Sequence, residues 1–331
     1  MYVTGPINDD ALDTLRERCE VVCGYLPEAP TLVDMAEYVD AIVVRTQTID
    51  AAVLRKARHC RIISRRGVGV DNIDLDLATA LGIPVTITAT ANAKTVAEHV
   101  FALMLNLLHN IIGGDRATRA GDFGARDSLL GRDLFAQRLG VIGVGRIGQE
   151  VIRIARQGFD MPVLAYDRFV PPTAAGDTGI EVVADLNEVL ERSDIVTVHT
   201  PLTRTTRGLL GSRELRRMKR GALLIHTARG GVIDEGALVA ALQDGHLAGA
   251  GIDVYACEPP PINHPLFALN NVIATPHSAG LTAEAVRRMS WAAVRAVLDV
   301  LDGSPGTHPA VQTDWKIVNP QYVKQARVVS P

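Results

Sequence analysis

Short apolar runs alternate with stretches of helical periodicity along most of the chain. Residues 1–4, 20–25, 41–45, 61–64 and 85–88 read as strands. Between them, residues 9–18 place Leu12 and Leu15 on one helical face, and a weaker helical pattern runs through Met35 and Tyr38. Residues 50–58 form a third helix that Asp50 is suited to cap, and residues 75–81 form a fourth. The alternation resumes later, with strands predicted at 139–142, 163–166, 195–198, 222–226, 248–254 and 272–274. Helices are predicted at 185–193, 213–220, 234–244 and 282–301. Strand–helix alternation predicts parallel, doubly wound α/β sheets. Residues 96–112 are the most apolar long stretch, but they contain Glu98, His99, Asn106, His109 and Asn110. That content predicts a buried helix and no membrane span. The tail from Gly303 is rich in proline and polar residues and is expected to wrap over another element.

One junction in the second half carries chemistry. The run 139–142 enters Gly143-x-Gly145-x-x-Gly148, and Ile147, Val151 and Ile154 follow at helical spacing. Strand, glycine turn and helix form the context in which this motif binds phosphate. Gly143 allows the tight turn, Gly145 the approach of a pyrophosphate, and Gly148 close helix–strand packing. The helix N-terminus offers unpaired N–H groups to an anion. In a chain with 29 glycines the motif alone is as compatible with chance. Asp167 tips the balance. It ends the next apolar run, 24 residues after Gly143, where a ribose hydroxyl would be bound.

Composition narrows the classes. A length of 331 residues suggests two domains, and 47% hydrophobic with 21% charged residues excludes disorder. A net charge of −3 gives no electrostatic footprint for nucleic acid. Cys19, Cys23, Cys60 and Cys257 show no metal-ligand spacing, so no metal is expected and free thiols in a reducing compartment are. The N-terminus reads as a strand and turn, not as a charged segment before a long apolar one, which predicts a cytoplasmic protein.

Ligands in doubly wound sheets lie beyond the carboxyl ends of the strands. Arg229, Glu258 and His277 each follow a predicted strand of the second half. A histidine beside a carboxylate suits general acid–base work, and an arginine suits a substrate carboxylate. The plain alternatives are a helix-capping His277 and a surface Glu258. In the first half, Gly67-Val-Gly-Val-Asp-Asn-Ile-Asp74 follows a strand. Its glycines fit an anion cradle and a simple turn equally well.

Several ordered motifs extend the reading: Gly67–Asp74, Val96-Ala-Glu-His99, Gly143–Gly148, His199-Thr-Pro-Leu-Thr203, Thr227-Ala-Arg-Gly-Gly-Val-Ile-Asp234, Asp253-Val-Tyr-x-x-Glu-Pro-Pro260 and Thr275-Pro-His277. On these motifs the chain resembles the D-isomer-specific 2-hydroxyacid dehydrogenases over nearly its whole length. The resemblance implies a Rossmann NAD-binding domain, residues 96–283, inserted into a flavodoxin-like substrate domain made of residues 1–95 and 284–331. The helices beginning near Val96 and Thr282 would form the hinge, and the catalytic cleft would lie between the domains. It further implies hydride transfer between NAD(H) and C2 of a D-2-hydroxyacid or 2-ketoacid, and a homodimer. Arg229 would grip the substrate, His277 would exchange the proton, and Glu258 would favour and orient the imidazolium. Gly143, Gly145, Arg146, Ile147, Gly148, Asp167, His199, Pro201, Thr227, Ala228 and Asp253 would hold the cofactor, with Asp253 on the nicotinamide amide. The N–H groups of Val68 and Gly69 would hold the substrate carboxylate.

A carboxylate at Asp167 would repel a 2′-phosphate, so NAD is expected over NADP, with the adjacent Arg168 softening the choice. Arg45 and Arg65 match phosphate-contacting arginines of the phosphoglycerate dehydrogenases, which suggests 3-phosphoglycerate as substrate; surface arginines, with hydroxypyruvate, are the plain alternative. Two residues depart from the family pattern: His226 stands where asparagine usually precedes Thr-Ala-Arg-Gly, and Lys94 precedes the buried helix. The chain also resembles the C-terminal-binding proteins, dinucleotide-sensing corepressors on the same scaffold, and the catalytic trio does not exclude them.

Overall fold

The computed structural model describes residues 1–170 and 180–303 and divides into two units. One holds Met1–Asn92 and the segment from Leu281, and the other is Ala93–Gly280. Both junctions lie slightly before the boundaries expected from sequence, because one long helix starts at Ala93 and another is capped by Thr282. The tail expected to wrap over another element lies, beyond Gly303, outside the described residues.

In the first unit, β1 (Tyr2–Val3), β2 (Val22–Cys23), β3 (Ala41–Val44), β4 (Ile62–Arg65) and β5 (Val85–Ile87) alternate with α1 (Asp9–Arg16), α2 (Leu32–Met35), α3 (Ala51–Lys56) and α4 (Leu75–Ala80). The strands are parallel in the order β2-β1-β3-β4-β5. All four residues of β3 are buried. Helices cover both faces of such a sheet, so its strands read as unbroken apolar runs. Asp50 caps α3 by accepting the N–H groups of Ala52 and Val53. This is the flavodoxin-like order, whose switch point lies between β1 and β3.

The second unit opens with α5 (Ala93–His109), whose buried face includes Val96, Val100, Phe101 and Met104, and continues with α6 (Ile111–Arg119). Then follow β6 (Leu139–Ile142), α7 (Arg146–Phe159), β7 (Val163–Tyr166), β8 (Glu181–Val183), α8 (Leu186–Arg192) and β9 (Ile195–Val198). The series closes with α9 (Ser212–Arg217), β10 (Ala222–His226), α10 (Glu235–Gln243), β11 (Leu247–Ile252) and β12 (Val272–Ala274). All seven strands are parallel, in the order β12-β11-β10-β9-β6-β7-β8. Counted within the unit this is the Rossmann order with a seventh strand added. β11 ends two residues earlier than the sequence suggests, and Asp253 leaves the strand with its N–H donated to the His226 carbonyl.

The last helix, α11 (Ala283–Leu301), returns to the first unit and packs Ala293, Val294 and Val297 against Val3, Val43 and Ile62. Ser64 on β4 donates to the Ala293 carbonyl at 3.0 Å. No single described helix is long and apolar enough to cross a membrane.

Candidate active site

At the end of β6 the three motif glycines have different physical reasons. Gly143 has φ +97°, and a Cβ there would lie 2.8 Å from the His199 carbonyl carbon. A Cβ on Gly148 would lie 2.1 Å from the Gly143 carbonyl oxygen. Those two are glycine so that the turn and α7 can pack. Gly145 is exposed, and a Cβ there would meet nothing within 4 Å. It caps α7 with no side chain, so the N–H groups of the first turn, with Arg146 exposed and Ile147 half-buried, face open space. Asp167, just past β7, accepts the N–H groups of Val144 and Phe169, each at 2.8 Å. The carboxylate thus stands against the glycine turn with lone pairs left for ribose hydroxyls. A pyrophosphate and its ribose fit this cradle.

The three candidate catalytic residues, Arg229, Glu258 and His277, come from three separate loops of the same unit. His277 Nδ1 lies 2.7 Å from Glu258 Oε2. An ionised carboxylate only accepts, so Nδ1 carries the hydrogen and Nε2 faces outward. Both side chains are partly exposed. Burial pushes the Glu258 carboxyl upward, but the hydrogen bond from His277, the Tyr255 N–H and the charges of His277 and Arg229 outweigh it and hold the group below the ordinary carboxylate range. Glu258 therefore stays ionised, and Arg229 lies near enough to act on the same charge. Arg229 Nη1 donates to the Ala228 carbonyl at 2.6 Å.

His277 has φ +52°, a left-handed conformation that costs a non-glycine residue energy. Asp253 explains how it is held. Its carboxylate accepts the N–H groups of Ser278 and Ala279, each at 2.9 Å, and the Thr275 hydroxyl. His99 on α5 lies 3.2 Å from the same hydroxyl. The sequence reading gives Asp253 to the nicotinamide amide; here it is 0% exposed and braces the turn that carries His277. Tyr255, which the sequence reading passed over, completes the brace. Its hydroxyl donates to the Thr275 carbonyl and its N–H to Glu258 Oε1, both at 3.1 Å. Burial first, and then the charges of Asp253, Glu258 and Glu235, push its phenol up to about 12. A Cβ on Gly230 would lie 1.7 Å from the Tyr255 carbonyl oxygen, so glycine is required immediately after Arg229.

His199, Thr227 and Ala228 lie at the carboxyl ends of β9 and β10, while Pro201 is exposed in the following loop. His199 Nδ1, Thr200 Oγ1, His226 Nδ1 and Thr227 Oγ1 are buried polar atoms with no partner among the described residues. Burial, and then the neighbouring His226, lower His199 to about 3. Burial, opposed by a hydrogen bond to the Arg229 backbone and reinforced by the Arg229 charge, lowers His226 to about 4. Both imidazoles are neutral at pH 7.

In the first unit, the N–H groups of Val68 and Gly69 donate to no group among the described residues. Arg65, expected at a substrate phosphate, is also tied into its own loop. Its Nε donates to the Gly69 carbonyl at 2.8 Å and its Nη1 to the Arg66 carbonyl at 2.6 Å, bracing the Gly67–Gly69 turn. Arg66 is the unexpected residue. It is 4% exposed, with Nε and Nη1 buried and without partners among the described residues. The Arg66 N–H donates to the Val44 carbonyl at 2.9 Å, and Arg45 lies near enough to act on its charge. Burial first, then Arg45, lower Arg66 to about 10.

Residues 101–279 match the model of the D-isomer specific 2-hydroxyacid dehydrogenase NAD binding domain. The chain belongs to this family. It is 39% identical over 309 residues to a D-3-phosphoglycerate dehydrogenase of Archaeoglobus fulgidus, covering 92% of this chain but only 58% of that protein. A glyoxylate reductase of Korarchaeum cryptofilum is 38% identical over 298 residues, 88% of this chain and 89% of that one. Among solved structures, the TT0316 protein of Thermus thermophilus superposes with a TM-score of 0.85 at 38% identity, covering 93% of this chain and 98% of that one. The cofactor of this 2-hydroxyacid dehydrogenase family member is NAD(H).

Proposed function

We propose that this chain is an NAD-dependent D-2-hydroxyacid dehydrogenase, with Ala93–Gly280 as its dinucleotide-binding domain and the other unit as its substrate domain. The observation that carries the reading is the 2.7 Å His277–Glu258 pair, with Arg229 acting on the same carboxylate, in a segment that matches an NAD binding domain. Bound NAD(H) supplies or accepts a hydride at C2 of the substrate. Arg229 holds the substrate carboxylate and polarises the carbonyl oxygen. In reduction, His277 gives its Nε2 proton to that oxygen; in oxidation it takes the proton back. Glu258 keeps Nδ1–H in place and offsets the imidazolium charge. Such acid–base help is worth about 10²–10⁴-fold. The free N–H groups of Val68 and Gly69 are assigned to a substrate carboxylate. Asp167 disfavours a 2′-phosphate by charge and supports NADH over NADPH.

The substrate carries a second anionic group in this reading, and the cations for it are Arg45 with the unpartnered Arg66 in place of Arg65. The phosphoglycerate dehydrogenase relative points the same way and the glyoxylate reductase relative points to a smaller acid. The free thiols of Cys19, Cys23, Cys60 and Cys257 support a cytoplasmic setting. A homodimer is supported by exposed apolar side chains between residues 111 and 135.

A panel of 2-keto acids with NADH and NADPH tests the whole reading. Turnover with NADH is expected for wild type, with a drop of at least about 10²-fold in His277→Ala. 3-Phosphohydroxypyruvate is expected to outperform hydroxypyruvate, and Arg45→Ala to erase that preference. NADH binding with no turnover across the panel would replace the enzyme with a dinucleotide sensor.

A further inference from the structure

His226 has no role in the chemistry above, yet its ring is 3% exposed at the very end of β10. Its Nε2 lies 2.9 Å from the Arg229 carbonyl oxygen. A carbonyl only accepts, so Nε2 carries the hydrogen, and a neutral ring then leaves Nδ1 as a bare acceptor. Nδ1 is buried without a partner, as that tautomer requires of a site with no donor. The same Arg229 carbonyl accepts the Val232 N–H at 3.3 Å, so two donors hold the Arg229–Gly230 peptide. Arg229 donates its Nη1 to the carbonyl of the preceding peptide, Ala228, so its Cα sits between the peptide held by His226 and the one that holds the guanidinium.

We propose that His226 is a positioning residue for Arg229: its neutral, Nε2-protonated ring sets the peptide from which the guanidinium reaches the substrate carboxylate. The inference rests on the substrate-gripping role of Arg229 given above. Neutrality matters because a cation at 226 would stand unpaired beside His199 and push on Arg229. An asparagine at this position would supply an amide N–H to the same carbonyl, whereas leucine fills the space and donates nothing.

Steady-state kinetics of His226→Leu and His226→Asn with NADH and the best keto acid of the panel, beside NADH affinity by fluorescence, test the role. His226→Leu is expected to raise KM for the keto acid and lower kcat/KM by about 10–100-fold, the scale of a misplaced binding group, with NADH affinity nearly unchanged. His226→Asn is expected to recover most of that loss. An Asn variant as impaired as the Leu variant, a Leu variant equal to wild type, or parallel loss of NADH affinity overturns the proposal. Long-range ¹H–¹⁵N spectra of ¹⁵N-histidine-labelled wild type read the ring without any variant. A neutral Nε2–H tautomer persisting at pH 5.5 supports the brace, and an Nδ1–H tautomer or titration near the ordinary histidine value overturns it. If wild type turns over no keto acid while the Nε2–H tautomer is present, the enzyme reading fails and the positioning role with it, but the hydrogen bond stands.

Discussion

His226 also makes a thermodynamic statement that needs no substrate. In the unfolded chain a histidine titrates near ~6.5, while burial keeps the folded ring neutral to about 4. Below pH ~6.5 the unfolded state therefore takes up a proton that the folded state refuses, so stability is complete above that pH and falls as pH drops toward 4. Each such group contributes a slope of up to about 1.4 kcal/mol per pH unit. His199, lowered to about 3, adds to the same window. Denaturant midpoints of wild type are expected to fall from pH 7 to pH 5, and His226→Asn to flatten that fall by about one proton's slope. A wild-type curve that is flat over this range sinks the assignment. The other unusual residue, His277, illustrates the complementary case. Its φ of +52° is kept by the next two N–H groups donating to Asp253, so the strain sits at the residue proposed to exchange the proton and a buried carboxylate offsets it.

The elements that were legible in the sequence are those with a buried face. β6, β9 and β10 match their predicted spans because apolar runs bounded by turns mark strands sandwiched between helices. α6 was invisible because none of its residues is buried, so no stripe betrays it. β8 is a three-residue edge strand with an exposed first residue, too short to alternate. The site followed the same logic. Strand ends advertised Arg229, Glu258 and His277, but Asp253, Tyr255 and His226 brace them through contacts between loops that periodicity does not connect. The glycine turn was legible as a motif and needed the fold to separate its members. Gly145→Ala has room and an ordinary backbone, so it is expected to fold with little change in melting temperature and to lose NADH affinity by tenfold or more, about 1.4 kcal/mol, because the methyl fills the pyrophosphate's approach. Gly148→Ala forces a methyl onto the Gly143 carbonyl and is expected to lower the melting temperature itself, since a close approach to backbone has nowhere to relax. Equal melting and equal NADH binding in the two variants would contradict this division of labour, and a thermal-shift assay with an NADH titration reads both.

At the scale of the whole molecule, one exposed stretch is the candidate for self-association. Ile111, Ile112, Phe123, Leu130 and Phe135 are 52%, 39%, 73%, 88% and 65% exposed within a single stretch of the second unit. α6 has no buried residue, and Leu129 lies over its Gly113 and Gly114. Isolated exposed apolar residues are ordinary, but five of them within 25 residues are where a self-association surface is expected. An isologous pairing of two copies presents the face to itself and needs roughly 1,200–2,000 Å² of buried surface to be stable. Light scattering after size exclusion is expected to give the mass of two chains at micromolar concentration. Phe123→Glu combined with Leu130→Glu places charge on exposed positions of that face. The folded core is left alone, so the double variant is expected to keep its circular dichroism spectrum and run as a monomer. A wild-type monomer, or a double variant that stays a dimer, would move the interface elsewhere. The glycine turn and the His277–Glu258 pair lie outside residues 111–135, so the dissociated variant should still bind NADH; loss of binding on dissociation would mean that pairing shapes the cofactor site.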